Sequence, residues 1–146
     1  MILYLDTSAL VKLYVDEDGS EQQRETAERS EAVVVSWISY VEARSAFSRV
    51  HREGKVSSSQ YQERLNDFEK DWPDFSAIEV SIDIIRSAGD LVEKHGLRAL
   101  DAIQLASGLK LRDDYAVSPG SVIFSSADTR LLLAARAEGF STSPLM

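Results

Sequence analysis

Four acidic residues of this chain sit where ordinary surface placement does not account for them: Asp6, Glu42, Asp101 and Asp128. The sequence holds 24 Asp and Glu residues, so most must be solvated surface and only position singles any of them out. Asp6 directly follows the apolar run Ile2-Leu3-Tyr4-Leu5 and so lies at the carboxyl end of a strand candidate. It is also a good N-cap for a following helix. Glu42 lies one turn into the helix expected after a second strand, and Ser39 with Glu42 fits the capping box S-x-x-E. Asp101 interrupts Leu97-Arg98-Ala99-Leu100-Asp101-Ala102-Ile103-Gln104-Leu105-Ala106, a helix apolar nearly all round and therefore expected to be buried. An acid there needs a compensating partner, either a cation or Arg98 three residues back. Asp128 opens a helix after another strand candidate, where the helix dipole alone favours an acid.

Each has a capping or pairing explanation, but together they form a pattern. Three follow strand candidates, where a parallel sheet opens its crevice, and the fourth breaks an apolar helix. Carboxylates gathered in one crevice repel and shift one another's pKa values, which bound cations or shared protons relieve. Oxygen-only ligation, with no Cys and only 2 His in the chain, points to Mg²⁺, with Mn²⁺ the alternative, rather than Zn²⁺. The chemistry that uses such a site is phosphoryl transfer, in which the metal acidifies an attacking water and neutralises the phosphate.

The elements that must position these acids alternate. Strands are expected at Ile2 to Leu5, Ala32 to Val35, Ala77 to Val80 and Val122 to Phe124, with a short last one at Phe140 to Thr142. Helices are expected from Ser8 to Tyr14, from a Ser20 cap to about Ser30, from Ser39 to Gly54, and from Ser57 to Pro73. Further helices run from about Ile84 to a Gly96 cap, from Arg98 to Leu111, and from Asp128 to Glu138. Ser118-Pro119-Gly120 reads as a turn. This alternation predicts an α/β fold, a parallel sheet flanked by helices, with its site at the carboxyl ends of the strands near a topological switch point.

Bulk properties set the frame. The 146 residues are 44% hydrophobic and 27% charged, which predicts one globular domain over 1–146. No Cys excludes disulfides and thiolate sites. The start, MILYLDTSALVKLYVDEDGS, lacks a basic segment and meets an acid at residue 6, so neither a signal peptide nor a membrane span is expected and a cytoplasmic location is the default. A net charge of -8 weighs against nucleic acid, yet a metal-ion nuclease must concentrate acids and lets the ion reverse the local sign.

Four motifs in order then match a known family. They are LYLDTSALVKLY with Asp6, VVVSWISYVEARSAF with Glu42, LRALDAIQLA with Asp101, and VIFSSADTRLLLAARAEGF with Asp128. The chain resembles the PIN-domain ribonucleases over essentially its whole length, most closely the VapC-type toxins of toxin–antitoxin pairs. The resemblance implies a five-stranded, mainly parallel PIN-like sheet and Mg²⁺-dependent endoribonuclease cleavage of RNA, with structured RNA such as tRNA a common substrate class. It implies Asp6 and Asp101 as the principal metal ligands, with Glu42 and Asp128 completing the catalytic site. It also implies a cognate antitoxin and a homodimer. Some relatives carry a further acid near the fourth motif, where this chain has Ser125, Ser126 and Thr129.

The basic stretch Arg44 to Lys55, with Arg49, His51 and Arg52, reads either as a phosphate track beside Glu42 or as a solvated helix face. Tyr61, Leu65, Phe68 and Trp72 read as core, and His51 and His95 fit no ligand or triad pattern. An aspartyl-phosphate phosphatase would want a second Asp where Ser8 stands. The remaining competitor is a non-catalytic PIN-like RNA- or protein-binding module, which has no need to keep all four acids.

Overall fold

A computed structural model describes residues 1–115, 118 and 120–144, so Pro119 of the expected turn lies outside the described residues. Strand β1 spans Ile2–Leu5, β2 Ala32–Ser36, β3 Ser76–Ile78, β4 Val122–Ser125 and β5 Ser141–Ser143. All neighbours pair in parallel, in the order β3-β2-β1-β4-β5. The chain builds outward from β1 through β2 to β3, then returns to place β4 on the other side of β1. The switch point of the sheet therefore lies between β1 and β4, where a crevice opens beyond the strand ends.

The central strand is apolar because both its faces are covered. Leu3 and Leu5 point to one face, with Val35, Ala43, Phe47 and Phe68. Tyr4 points to the other, with Phe124, Leu105 and Leu131. The first face is covered by α1 (Thr7–Val11), α3 (Ile38–Arg52) and α4 (Ser58–Asp71), the second by α5 (Ile82–His95), α6 (Ala99–Tyr115) and α7 (Thr129–Ala137). Helix α2 (Ser20–Arg29) adds Ala27 to the first face. Phe47, Phe68, Trp72 and Tyr14 pack there mostly edge to face, which pins α3 and with it Glu42.

Several boundaries differ from the sequence reading, each for a local reason. The first helix is one short turn, Thr7–Val11, rather than Ser8 to Tyr14. Gly19, at φ 88°, caps α2, while Ser20 is its first residue and its hydroxyl bonds Val15 O instead. Helix α4 keeps the Ser57 cap, with Gln60 completing a capping box, and a 3-10 turn at Trp72–Asp74 carries Pro73. Of the expected α4 core, Phe68 and Trp72 are buried, whereas Tyr61 and Leu65 are only half-buried. Gly96 closes α5 in the left-handed region, as its position predicted.

Helix α6 is not buried all round. Arg98, Ala99 and Leu100 are exposed and Asp101 is half-buried, because the helix begins at the rim of the crevice and enters the core only from Ala102. Deeper in, Gly108 lets α6 approach the sheet: a Cβ there would stand 3.0 Å from the Phe124 ring.

Candidate functional site

Asp6 ends β1 at the switch point and caps α1, with its Oδ1 accepting from Ala9 N at 2.9 Å. The cap and the strand-end readings therefore describe the same side chain. Ser8 donates to the same oxygen at 2.7 Å, and Ser126, just past β4, donates to Oδ2 at 2.5 Å. The residue is 5% exposed. No cationic side chain pairs with it among the described residues. Burial pushes its pKa up to about 6, the donors Ser126, Ala9 and Ser8 pull it back, and the charge of Asp101 adds to the rise.

Glu42 lies on α3, and the capping box expected with Ser39 does not form. The helix starts at Ile38 with Trp37 as its N-cap, and Ser39 is fully buried inside it. Glu42 instead accepts from the Thr7 hydroxyl at 2.7 Å, and Gln104 Nε2 of α6 approaches the same Oε1 at 3.5 Å. Gln104 also donates to Ser39 at 3.0 Å and Thr7 at 3.2 Å, and accepts from the Tyr4 hydroxyl at 2.7 Å. This buried network ties β1, α1, α3 and α6 behind the carboxylate.

Asp101 faces the crevice from the first turn of α6. Its pKa is raised by partial burial first, then by the charges of Asp128 and Glu42, while Arg98 and Arg130 oppose the rise. Arg98 makes no ion pair with it among the described residues, so the pairing explanation is not realised. Asp128 does act as a cap: its Oδ1 accepts from Arg130 N at 2.9 Å and Leu131 N at 3.3 Å. Its own backbone N–H donates to Ser126 Oγ at 3.0 Å, which places it one hydroxyl away from Asp6.

The carboxylates thus act on one another electrostatically: Asp101 on Asp6, and Asp128 and Glu42 on Asp101. Beside them opens a groove of about 610 Å³ in which Glu42, of the four, is a lining residue, with Thr7, Ser8, Arg49, Leu100 and Ala127 among the others. The donor set is all hard oxygen, and Asp6 has no counter-charge among the described residues, both of which suit a hard divalent cation. Among the described residues no three His, Asp or Glu side chains already form a cage for one.

Nothing in the sequence singles out Thr7 or Gln104 as a site residue, and Ser8 and Ser126 enter there only as positions where another family or some relatives carry an acid. Gln104 carried the same signal as Asp101, a polar residue inside an apolar helix, and it is the more deeply buried of the two. Of the basic stretch, only Arg49 lines the groove; Arg44 is engaged by Tyr40 and Glu69, His51 stacks on Tyr61, and Arg52 reaches Ser48. No helix among the described residues is long and apolar enough to cross a membrane.

The PIN domain family model matches residues 3–136. Ribonuclease VapC45 of Mycobacterium tuberculosis is 34% identical over 147 aligned positions, covering 98% of this chain and 95% of the relative. Among solved structures, FitAcB from Neisseria gonorrhoeae superposes with a TM-score of 0.68 at 16% identity, over 97% of this chain and 96% of that one. A toxin–antitoxin complex from Klebsiella pneumoniae gives a TM-score of 0.61 at 20% identity, over 87% of each chain. At such identities the structural likeness is one of fold.

Proposed function

The chain belongs to the PIN-domain family, in its VapC-type branch, and on that footing we propose that it is a Mg²⁺-dependent endoribonuclease, the toxin of a toxin–antitoxin pair. The observation that carries this reading is Asp6: a nearly buried carboxylate at the switch point, without a cationic partner among the described residues and facing the charge of Asp101. A fold that keeps such a group against its desolvation cost fits a site built to receive positive charge.

Asp6 and Asp101 are the groups to hold the cation, with Glu42 and Asp128 completing the acidic site. The ion supplies charge neutralisation at the phosphate and a more acidic attacking water. The chain's own residues position these groups. Ser8, Ser126 and the Ala9 amide fix both oxygens of Asp6, and Thr7 and Gln104 fix one oxygen of Glu42. The Arg130 and Leu131 amides hold Asp128 Oδ1, and among the described residues Glu42 Oε2, Asp128 Oδ2 and both oxygens of Asp101 accept no hydrogen bond. A cognate antitoxin completes the reading, in keeping with a fold neighbour solved as a toxin–antitoxin complex, and a homodimer is part of the same proposal.

The test is cleavage of RNA with Mg²⁺ or Mn²⁺, with and without EDTA, comparing the native chain with Asp6→Asn and Asp101→Asn. Cleavage indifferent to both chelation and substitution would sink the mechanism. A second reading, a PIN-like binding module without catalysis, is favoured by the helix-capping role of Asp128 and the lack of a preformed cage among the described residues. It predicts RNA or protein binding with no cleavage under any divalent ion.

A further inference from the structure

The acidic crevice cannot hold RNA by itself, since a strand carries one negative charge per nucleotide into a protein of net charge -8. Whatever a bound ion neutralises at the phosphate being cut, affinity for the rest of the strand must come from cationic side chains beside the crevice. On α3, Glu42, Ser45, Ala46 and Arg49 share one helix face and all line the groove beside the carboxylates. Arg49 stands two turns beyond Glu42, about 10 Å along the axis, with only small side chains between them.

At Arg49 the groove runs into a second cavity of about 390 Å³, with which it shares Val11, Glu17, Ala46 and Arg49. This channel is lined further by Phe47, Val50, Lys55 and Arg64. Its charges are unequal in availability. Glu17 is engaged by Lys12 at 3.2 Å and Asp16 by Arg24 at 2.9 Å. Lys55 is paired in the same exposed way with Glu53 at 3.1 Å, so all three of these charges carry a partner of opposite sign among the described residues. Arg64 lies over the Phe47 ring, 6.0 Å from its centroid, and neither it nor Arg49 has a carboxylate partner among the described residues. The uncompensated charges of the channel are therefore two guanidiniums, the groups best shaped for phosphate.

We propose that a single RNA strand leaves the carboxylate crevice along this channel, its phosphates taken by Arg49 and Arg64, its sugars and bases running against the half-buried Val11 and Val50. This rests on the nuclease reading above. It also replaces the broader basic stretch of the sequence with one residue from that stretch and one from α4.

The experiment uses a short labelled single-stranded RNA of mixed sequence and the Asp6→Asn chain, so that RNA survives while binding is measured across a salt series. Arg49→Ala with Arg64→Gln is expected to weaken binding about tenfold or more. It should also flatten the slope of log affinity against log salt by about 1.4, the amount for two single-strand phosphate contacts. Arg44→Ala with Arg52→Ala is expected to leave the slope unchanged. Should Arg64→Gln disturb the packing on Phe47, Arg49→Glu on the exposed helix face carries the test alone. An unaltered slope in the channel variants overturns the proposal. So does loss of binding to an acidic peptide with RNA binding retained, which would assign the channel to a protein partner. The underlying reading fails separately: if the native chain neither cuts nor binds RNA, the nuclease assignment falls, whereas cleavage by the native chain with unchanged KM in the channel variants removes the strand path only.

Discussion

The Tyr4 hydroxyl donates to Gln104 Oε1 at 2.7 Å, and this buried bond turns the amide nitrogen of Gln104 toward Ser39, Thr7 and Glu42. Burial holds Tyr4 far above its ordinary pKa, with the charges of Asp6 and Glu42 adding to the shift, so the hydroxyl stays a donor at any working pH. A strand residue facing the core thereby fixes the orientation of a helix side chain, which fixes a carboxylate on another helix.

Gln104 is accordingly a positioning residue, and Gln104→Leu should separate binding from turnover. The substitution leaves the Tyr4 hydroxyl and the Ser39–Thr7 pair short of a partner, costing about 1–3 kcal/mol of stability. With Glu42 less constrained, kcat for RNA cleavage should fall about tenfold or more while KM stays within about twofold. Steady-state kinetics on a defined RNA checks this. A kcat equal to that of the native chain would remove Gln104 from the working site.

Asp6→Asn should abolish cleavage and yet stabilise the metal-free protein. The folded-state pKa of Asp6 is raised, to about 6, so the folded protein binds this proton more tightly than the unfolded chain does. Stability from that group is full below its unfolded value and is lost as pH rises through about 6. At pH 7 the ionised form is a cost, and Asn keeps an acceptor for Ala9 N while removing the charge. A gain of about 1–2 kcal/mol, several degrees in Tm, is expected in EDTA at pH 7 and should vanish near pH 4. A lower Tm at pH 7 would show that the carboxylate is held for stability.

Much of this site was legible because Ile2 to Leu5 leaves no doubt about a buried strand, and a strand end fixes where Asp6 must be. The register of all four acids to strand ends or to α6 followed from local pattern. What the pattern missed depends on contacts between distant segments. Ser39 and Glu42 satisfy a capping box in sequence, but Thr7 and Gln104 compete for the same atoms, and those partners lie 35 and 62 positions away. Helix α6 reads as apolar all round because periodicity does not reveal where a helix leaves the core. Its exposed first turn and its buried Gln104 were therefore exchanged in importance. Arg64 was invisible for the same reason, since only the packing of α4 on α3 brings it beside Arg49.

The closeness of α6 to the sheet is a stability matter with a functional consequence. A Cβ on Gly108 would meet Phe124 Cδ2 at 3.0 Å and Cε2 at 3.1 Å. That ring cannot retreat easily, because it stacks on Tyr4 at 5.1 Å and packs on Phe140 at 5.5 Å. Gly108→Val should therefore lose about 2–3 kcal/mol to overpacking, despite the poor helix propensity of glycine. Chemical denaturation measures it, and stability unchanged within about 0.5 kcal/mol would mean that α6 is free to shift outward.

Glu138 should contribute to the acid limb of stability from the side of the molecule formed by α5, α6 and α7. Its Oε2 meets Lys94 Nζ and His95 Nε2, each at 2.7 Å, and its backbone carbonyl accepts from Arg112 at 2.6 Å. The bond from Lys94 holds its pKa below the ordinary value, opposed by burial and assisted by His95. A depressed folded-state pKa means that the unfolded chain takes up this proton first. The contribution is therefore present above the unfolded value, about 4.3, and is lost as pH falls through the lower folded one. The native chain should lose Tm between about pH 5 and pH 3, and Glu138→Gln should be less stable at pH 7 but flatter across that interval. The opposite sign of Asp6 acts higher, near pH 6, so the two limbs separate in a single Tm-against-pH series. If Glu138→Gln loses Tm between pH 5 and pH 3 as steeply as the native chain, the acid limb belongs to other carboxylates and the α5–α7 clasp does not depend on this charge.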